Sequence, residues 1–79
     1  MPTHLPLNYV DVAYDTTTKQ YMVWIIQRGH VTSSIVVQTR STIAVIAKRL
    51  GCPVYTDDLD LTLALTHQGV AVIPDRFAS

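Results

Sequence analysis

Three aspartates stand close together in the stretch Thr56-Asp-Asp-Leu-Asp-Leu61. Carboxylates in such a group do one of two kinds of work. At the carboxyl edge of a sheet, Asp57, Asp58 and Asp60 would offer hard oxygen ligands to Mg²⁺ or Mn²⁺. At the start of a helix they satisfy free N–H groups and oppose the positive end of the helix dipole, with no chemistry. On this plainer account Asp57 and Asp58 stabilise a helix N-terminus and Asp60 is solvated.

The longer run Ile46-Ala-Lys-Arg-Leu-Gly-Cys-Pro-Val-Tyr-Thr-Asp-Asp-Leu-Asp-Leu61, continuing to Gly69-Val-Ala-Val-Ile73, resembles the C-terminal part of PIN-like nucleases. In that family a helix ending in glycine leads to a buried strand, a Thr-x-Asp-x-Asp-type loop, a helix, a glycine and a last strand. The resemblance implies metal-dependent phosphodiester hydrolysis, with Asp58 and Asp60 at the metal-ligand positions. The rest of the chain departs from the family pattern. PIN-like domains have an aspartate ending the first strand and further acids on the helices that follow. Here Asp11 follows Tyr9-Val10, but Asp15-Thr-Thr-Thr and the next segment read as a hairpin, and the chain contains no glutamate.

Ile46-Ala-Lys-Arg-Leu-Gly51 also resembles the first helix and turn of helix-turn-helix DNA-binding proteins, which would make Lys48 and Arg49 nucleic-acid contacts. The positions that should carry apolar residues for packing the recognition helix hold Asp57 and Asp60 instead. Acids there repel phosphate. The formal net charge is zero, and neither half of the chain forms a basic patch, so strong phosphate-driven binding has little support. Trp24 with Tyr9, Tyr14 and Tyr21 could stack bases on a sheet face. The set Trp24, Tyr21, Arg28 and Arg40 equally suits a protein interface, where Trp, Tyr and Arg dominate the energetics. His4, His30, His67 and Cys52 lack zinc-ligand spacing, and the glycines lie singly, so no phosphate loop and no cofactor are expected.

These residues sit in a chain of 79, enough for one small domain (residues 1–79) with a thin core. Apolar residues make up 48% and charged residues only 15%, against about 25% charged in an average domain. So little charge leaves much neutral surface, and a homodimer or a protein partner is expected. The leading expectation is a small noncatalytic protein-binding module, of the interaction or inhibitor type found among accessory and mobile-element proteins, that associates with itself. A shortened PIN-like nuclease relative and a helix-turn-helix nucleic-acid binder are the alternatives. A single cysteine, no secretion signal and no membrane-length apolar run make the cytoplasm the expected location.

The elements that would position these residues are of the α+β class. Val, Ile and Thr supply 26 of the 79 residues, a bias toward sheet. Leu7–Tyr14 alternates, with Val10, Val12 and Tyr14 on one face. Gln20–Gln27 reads as a strand central in its sheet, and Val31–Thr39 as a third; short turns make the three an antiparallel meander. Residues 41–50 form the clearest helix, capped by Thr39 or Ser41 and ended by Gly51 and Pro53. A short strand over 54–56 follows. Residues 57–68 carry conflicting signals. Leu59, Leu61, Leu63 and Leu65 alternate as in a strand, whereas Thr56 as N-cap, the aspartates and Gly69 mark a helix. The expectation is a helix, with a hairpin strand as the alternative. Residues 70–73 make a final strand, and Phe77 packs back from a tail over 74–79.

Overall fold

The computed structural model describes residues 5–73. Its elements are β1 (Tyr9–Asp15), β2 (Gln20–Gln27), β3 (His30–Val37), α1 (Arg40–Leu50), β4 (Val54–Tyr55), α2 (Leu59–His67) and β5 (Val72–Ile73). The α+β class and the order of elements agree with the sequence reading. The five strands form one sheet in the order β3-β2-β1-β4-β5. β1, β2 and β3 are antiparallel neighbours, while β4 and β5 run parallel to β1. β2 is an interior strand between β3 and β1, in keeping with the sequence reading, and the middle place of the five falls to β1 because the helices return the chain to its far side. His4, the N-terminal proline stretch and the Phe77 tail fall wholly or partly outside the described residues.

Local chemistry explains each junction. After β1, the carboxylate of Asp15 accepts from the backbone N–H groups of Thr17 (2.9 Å) and Thr18 (3.4 Å). These bonds favour the ionised acid and hold its pKa below the usual value. β2 and β3 are joined by Arg28-Gly29, both at positive φ (55° and 80°), between the paired residues Gln27 and His30. Positive φ at both central residues is the signature of the two-residue turn that matches strand twist. α1 is capped by Thr39, which accepts from the N–H of Thr42, and Gly51 at φ 67° ends it.

α2 resolves the conflicting signals of its segment in favour of helix. It starts two residues later than expected, and its N-cap is Asp58 rather than Thr56. Thr56 is buried, and its hydroxyl accepts from the N–H of Asp58 instead. The leucine alternation divides in two on the helix: Leu61 and Leu65 are fully buried, Leu59 and Leu63 about 60% exposed. Each pair has i, i+4 spacing, so the alternation populates two opposite faces of one helix.

Both helices cover the same face of the sheet. Val10, Val12, Tyr21, Val23, Val37 and Val54 from the strands form a single cluster with Ile43, Ala44 and Ala47 of α1 and Leu61 and Leu65 of α2. Val10 aligns with Val54, and Val54 with Val72, so this face carries aliphatic residues across the three parallel strands. No described helix is long and apolar enough to cross a membrane.

Candidate functional site

The strand registers line up a different row on the other face. Ser34, Trp24, Asp11, Tyr55 and Ile73 are successive partners across β3, β2, β1, β4 and β5. Partners share a face and successive residues alternate, so this row lies opposite the helices. Asp11 is its midpoint, flanked by Trp24 on one side and Tyr55 on the other. Tyr9, on the same face, lies against Tyr55 with ring centroids 6.2 Å apart and planes tilted by 59°. Ile26, the partner of Tyr9, is buried without joining the core cluster beneath the helices.

A carboxylate at the middle of a sheet face is costly, and Asp11 registers that cost. Its pKa is raised, first by burial, which penalises the charged form, and next by the negative charge of Asp57. The N–H of Val12 opposes the shift. Asp57 belongs to the loop leaving β4, two residues beyond Tyr55, the parallel partner of Asp11. Asp11 thus feels the charge of an acid distant in sequence, which lies at the carboxyl end of a parallel strand, the side on which open sheets with parallel strands build their sites.

The other sequence-derived candidates separate into several places. Asp58 is half-buried and its Oδ1 accepts from the N–H of Asp60 (3.0 Å) and Leu61 (3.4 Å), as helix capping requires. Asp60 is exposed in the first turn of α2. The plainer reading of the acids therefore describes Asp58 and Asp60, and Asp57 is the one whose charge reaches Asp11. Arg40 donates from Nε to the hydroxyl of buried Tyr21 at 3.0 Å. Its pKa is raised, chiefly by that bond, with smaller contributions from the charges of Asp60 and Asp58. Tyr21 stacks at a tilt on Tyr14, centroids 4.9 Å apart, on the helix-covered face. Trp24 is on the opposite face, and Arg28 is in the turn at the opposite end of β2, bordering a cleft with Asn8, His30 and Cys52. Trp24, Tyr21, Arg28 and Arg40 therefore do not form one patch. The aromatic platform also changes membership: Tyr9 and Trp24 remain, Tyr55 joins them, and Tyr14 and Tyr21 face the helices.

Lys48 and Arg49 are exposed in the last turn of α1. Between α1 and α2 the chain forms β4, a strand where a helix-turn-helix has its turn. Among the described residues no group of three or more His, Cys, Asp or Glu gathers in a way that could hold a metal. The signal that could have found Asp11 is the alternation Tyr9-Val-Asp-Val12, which sets the acid on the face opposite the two valines. What it lacked was the identity of the neighbouring strand.

Comparison with known family models, curated proteins and solved structures found no match.

Proposed function

We propose that the sheet face opposite the helices is a hard-cation site built on Asp11 and Asp57, and that the domain acts on phosphodiesters of nucleic acid. The observation that supports this reading is a half-buried carboxylate at the middle of the sheet face, Asp11, with Asp57 on the loop two residues beyond its parallel partner Tyr55. A partly buried carboxylate with a raised pKa beside another acid is a recurrent mark of functional sites. Asp11 and Asp57 would hold the ion. Trp24, Tyr9 and Tyr55 flank the pair and offer flat apolar surfaces on which bases stack without sequence preference. Thr56 anchors the loop that carries Asp57 through its bond with the N–H of Asp58. A bound Mg²⁺ or Mn²⁺ would supply Lewis acidity at a phosphoryl oxygen. This reading keeps the chemistry implied by the PIN-like resemblance and moves it from Asp58 and Asp60 to Asp11 and Asp57.

The test is thermal melting with and without millimolar Mn²⁺ or Mg²⁺, on the wild type and on Asp11→Asn, Asp57→Asn and Asp58→Asn. Binding to the folded state raises the Tm by mass action. The expected result is a rise in the wild type, no rise in the first two variants, and a retained rise in Asp58→Asn, because asparagine also caps helices. A wild type indifferent to both ions would sink the proposal, as would a rise that survives both Asp11→Asn and Asp57→Asn.

A second reading, protein binding, draws on a different observation. β3 forms one edge of the sheet, and every residue from His30 to Val36 is exposed, among them Val31, Ile35 and Val36.

A further inference from the structure

We propose that β3 is a self-pairing edge, through which two copies of the chain join their sheets in antiparallel register about a two-fold axis at Ile35. The inference rests on the protein-binding reading and names its surface and partner.

An edge strand presents a row of backbone N–H and C=O groups that only another extended strand can satisfy in full. Natural edges are blunted by charges, by proline, by bulges or by being short. β3 has eight residues, and His-Val-Thr-Ser-Ser-Ile-Val-Val contains no Asp, Glu, Lys, Arg or Pro. Its one device is a register shift against β2, where Ile25 pairs with Ser33 and Ile26 with Val31. That bulge at Thr32 leaves Ser33–Val37 as an uninterrupted, uncharged edge.

The choice of a second copy follows from charge and geometry. From Gly29 to Thr39 no residue carries a formal charge, so two such edges meet without repulsion and no charge selects a different partner. Two-fold symmetry requires the same strand on both sides, running antiparallel. Centring on Ile35 pairs Ile35 with its own copy and Ser33 with Val37 on the helix-covered face. On the other face it pairs Ser34 with Val36, which is 50% exposed in the single chain. The β-branched residues at the edge thereby lose water, and the two sheets become one of ten strands. The acid pair, on β1 and the loop after β4, is left open.

Sedimentation equilibrium from micromolar to millimolar chain, with circular dichroism as the folding control, tests the arrangement. The variants are Ser34→Lys, Val36→Asp and, on the outer face of α2, Leu63→Lys. All three positions are exposed, so folding should survive. The wild type is expected to be a dimer. Ser34→Lys and Val36→Asp should each weaken association by about tenfold, through two altered pairs per interface. Mixing the two should restore a dimer, because residue 34 of one copy faces residue 36 of the other, whereas Leu63→Lys should dimerise normally. A dimer lost in Leu63→Lys and untouched by the edge variants would overturn edge pairing and leave protein binding standing through α2. A wild type that stays monomeric at millimolar concentration would overturn self-association altogether. Failure of the mixture to recover would overturn the Ile35-centred register.

Discussion

The two faces of this sheet are made by the same strands and obey opposite rules. Beneath the helices, Val10, Val23 and Val54 are fully buried with Ile43, Leu61 and Leu65, and among the described residues no charged side chain is buried with them. On the other face, Trp24, Asp11 and Tyr55 stand side by side across the central strands, half-buried, with a carboxylate at the centre. Alternation along β1 alone separates the two: Val10 and Val12 point one way, Tyr9 and Asp11 the other. The first face is built for stability. The second tolerates a cost to stability, and such costs collect at functional sites.

The largest expected effect tests the first face against solvent within a single helix. Leu65→Ala should lower stability by about 2–5 kcal/mol, the usual range for a buried leucine. In a domain of this size that is a fall in Tm of more than about 10 °C. Leu63→Ala, two residues away and 61% exposed, should change stability by no more than about 0.5 kcal/mol. Urea denaturation of the two variants measures the contrast. Similar losses would mean that residues 59–67 are packed on both sides.

The second face should respond in the opposite direction. Asp11 has its pKa raised in the folded chain, by burial and then by Asp57, above the value of 3.8 that it has when unfolded. Its contribution to stability is therefore full below pH 3.8 and is lost as pH rises through the folded-state pKa. At neutral pH the ionised group is a liability. Asp11→Asn should melt higher than the wild type at pH 7 without added metal, and the difference should shrink toward pH 3. Melting curves across that range decide the matter. A variant less stable than the wild type at pH 7 would mean that Asp11 has a supporting partner, and the contrast between faces would lose its centre.

How far these faces were legible beforehand depends on the range of the interaction involved. The three antiparallel strands and α1 follow from local signals: alternation, short turns, Thr39 and Gly51. The inward set Val10 and Val12 was visible in β1 itself. Position in the sheet was not, because β1 becomes central only when α1 and α2 carry the chain back to its free side. For the same reason the sequence alone did not separate Asp57 from Asp58 and Asp60: the parallel register of Asp11 with Tyr55 sets Asp57 apart, and the capping bonds set Asp58 apart. Leu59 to Leu65 misled in another way. A spacing of two residues reads as a strand until each residue is paired with the one four positions on.

At the rim where the faces meet, Asp58 holds the start of α2 through two N–H groups. Asp58→Ala should cost about 1 kcal/mol and Asp58→Asn close to nothing. Equal costs would mean that the charge, rather than the cap, is what matters there, and the assignment of Asp57 alone to the acid pair would need revision.

The smallest effect concerns the turn that fixes how β3 alternates against β2. Arg28 has a φ of 55°, a left-handed conformation that costs a residue with a Cβ about 1–2 kcal/mol relative to the right-handed form. Glycine adopts it freely but loses more entropy on folding. The balance for Arg28→Gly should be a gain of about 0.5 kcal/mol, read as a small rise in urea midpoint at unchanged slope. The N–H of residue 28 would still reach Oδ1 of Asn8, now 2.9 Å away, so the turn itself is kept. A loss of stability would instead show that the arginine side chain contributes at the cleft it borders with Asn8 and His30, and Arg28 would return as a binding residue. The same substitution thus separates a backbone role from a side-chain role at the only one of the four proposed interface residues that sits in a strained turn.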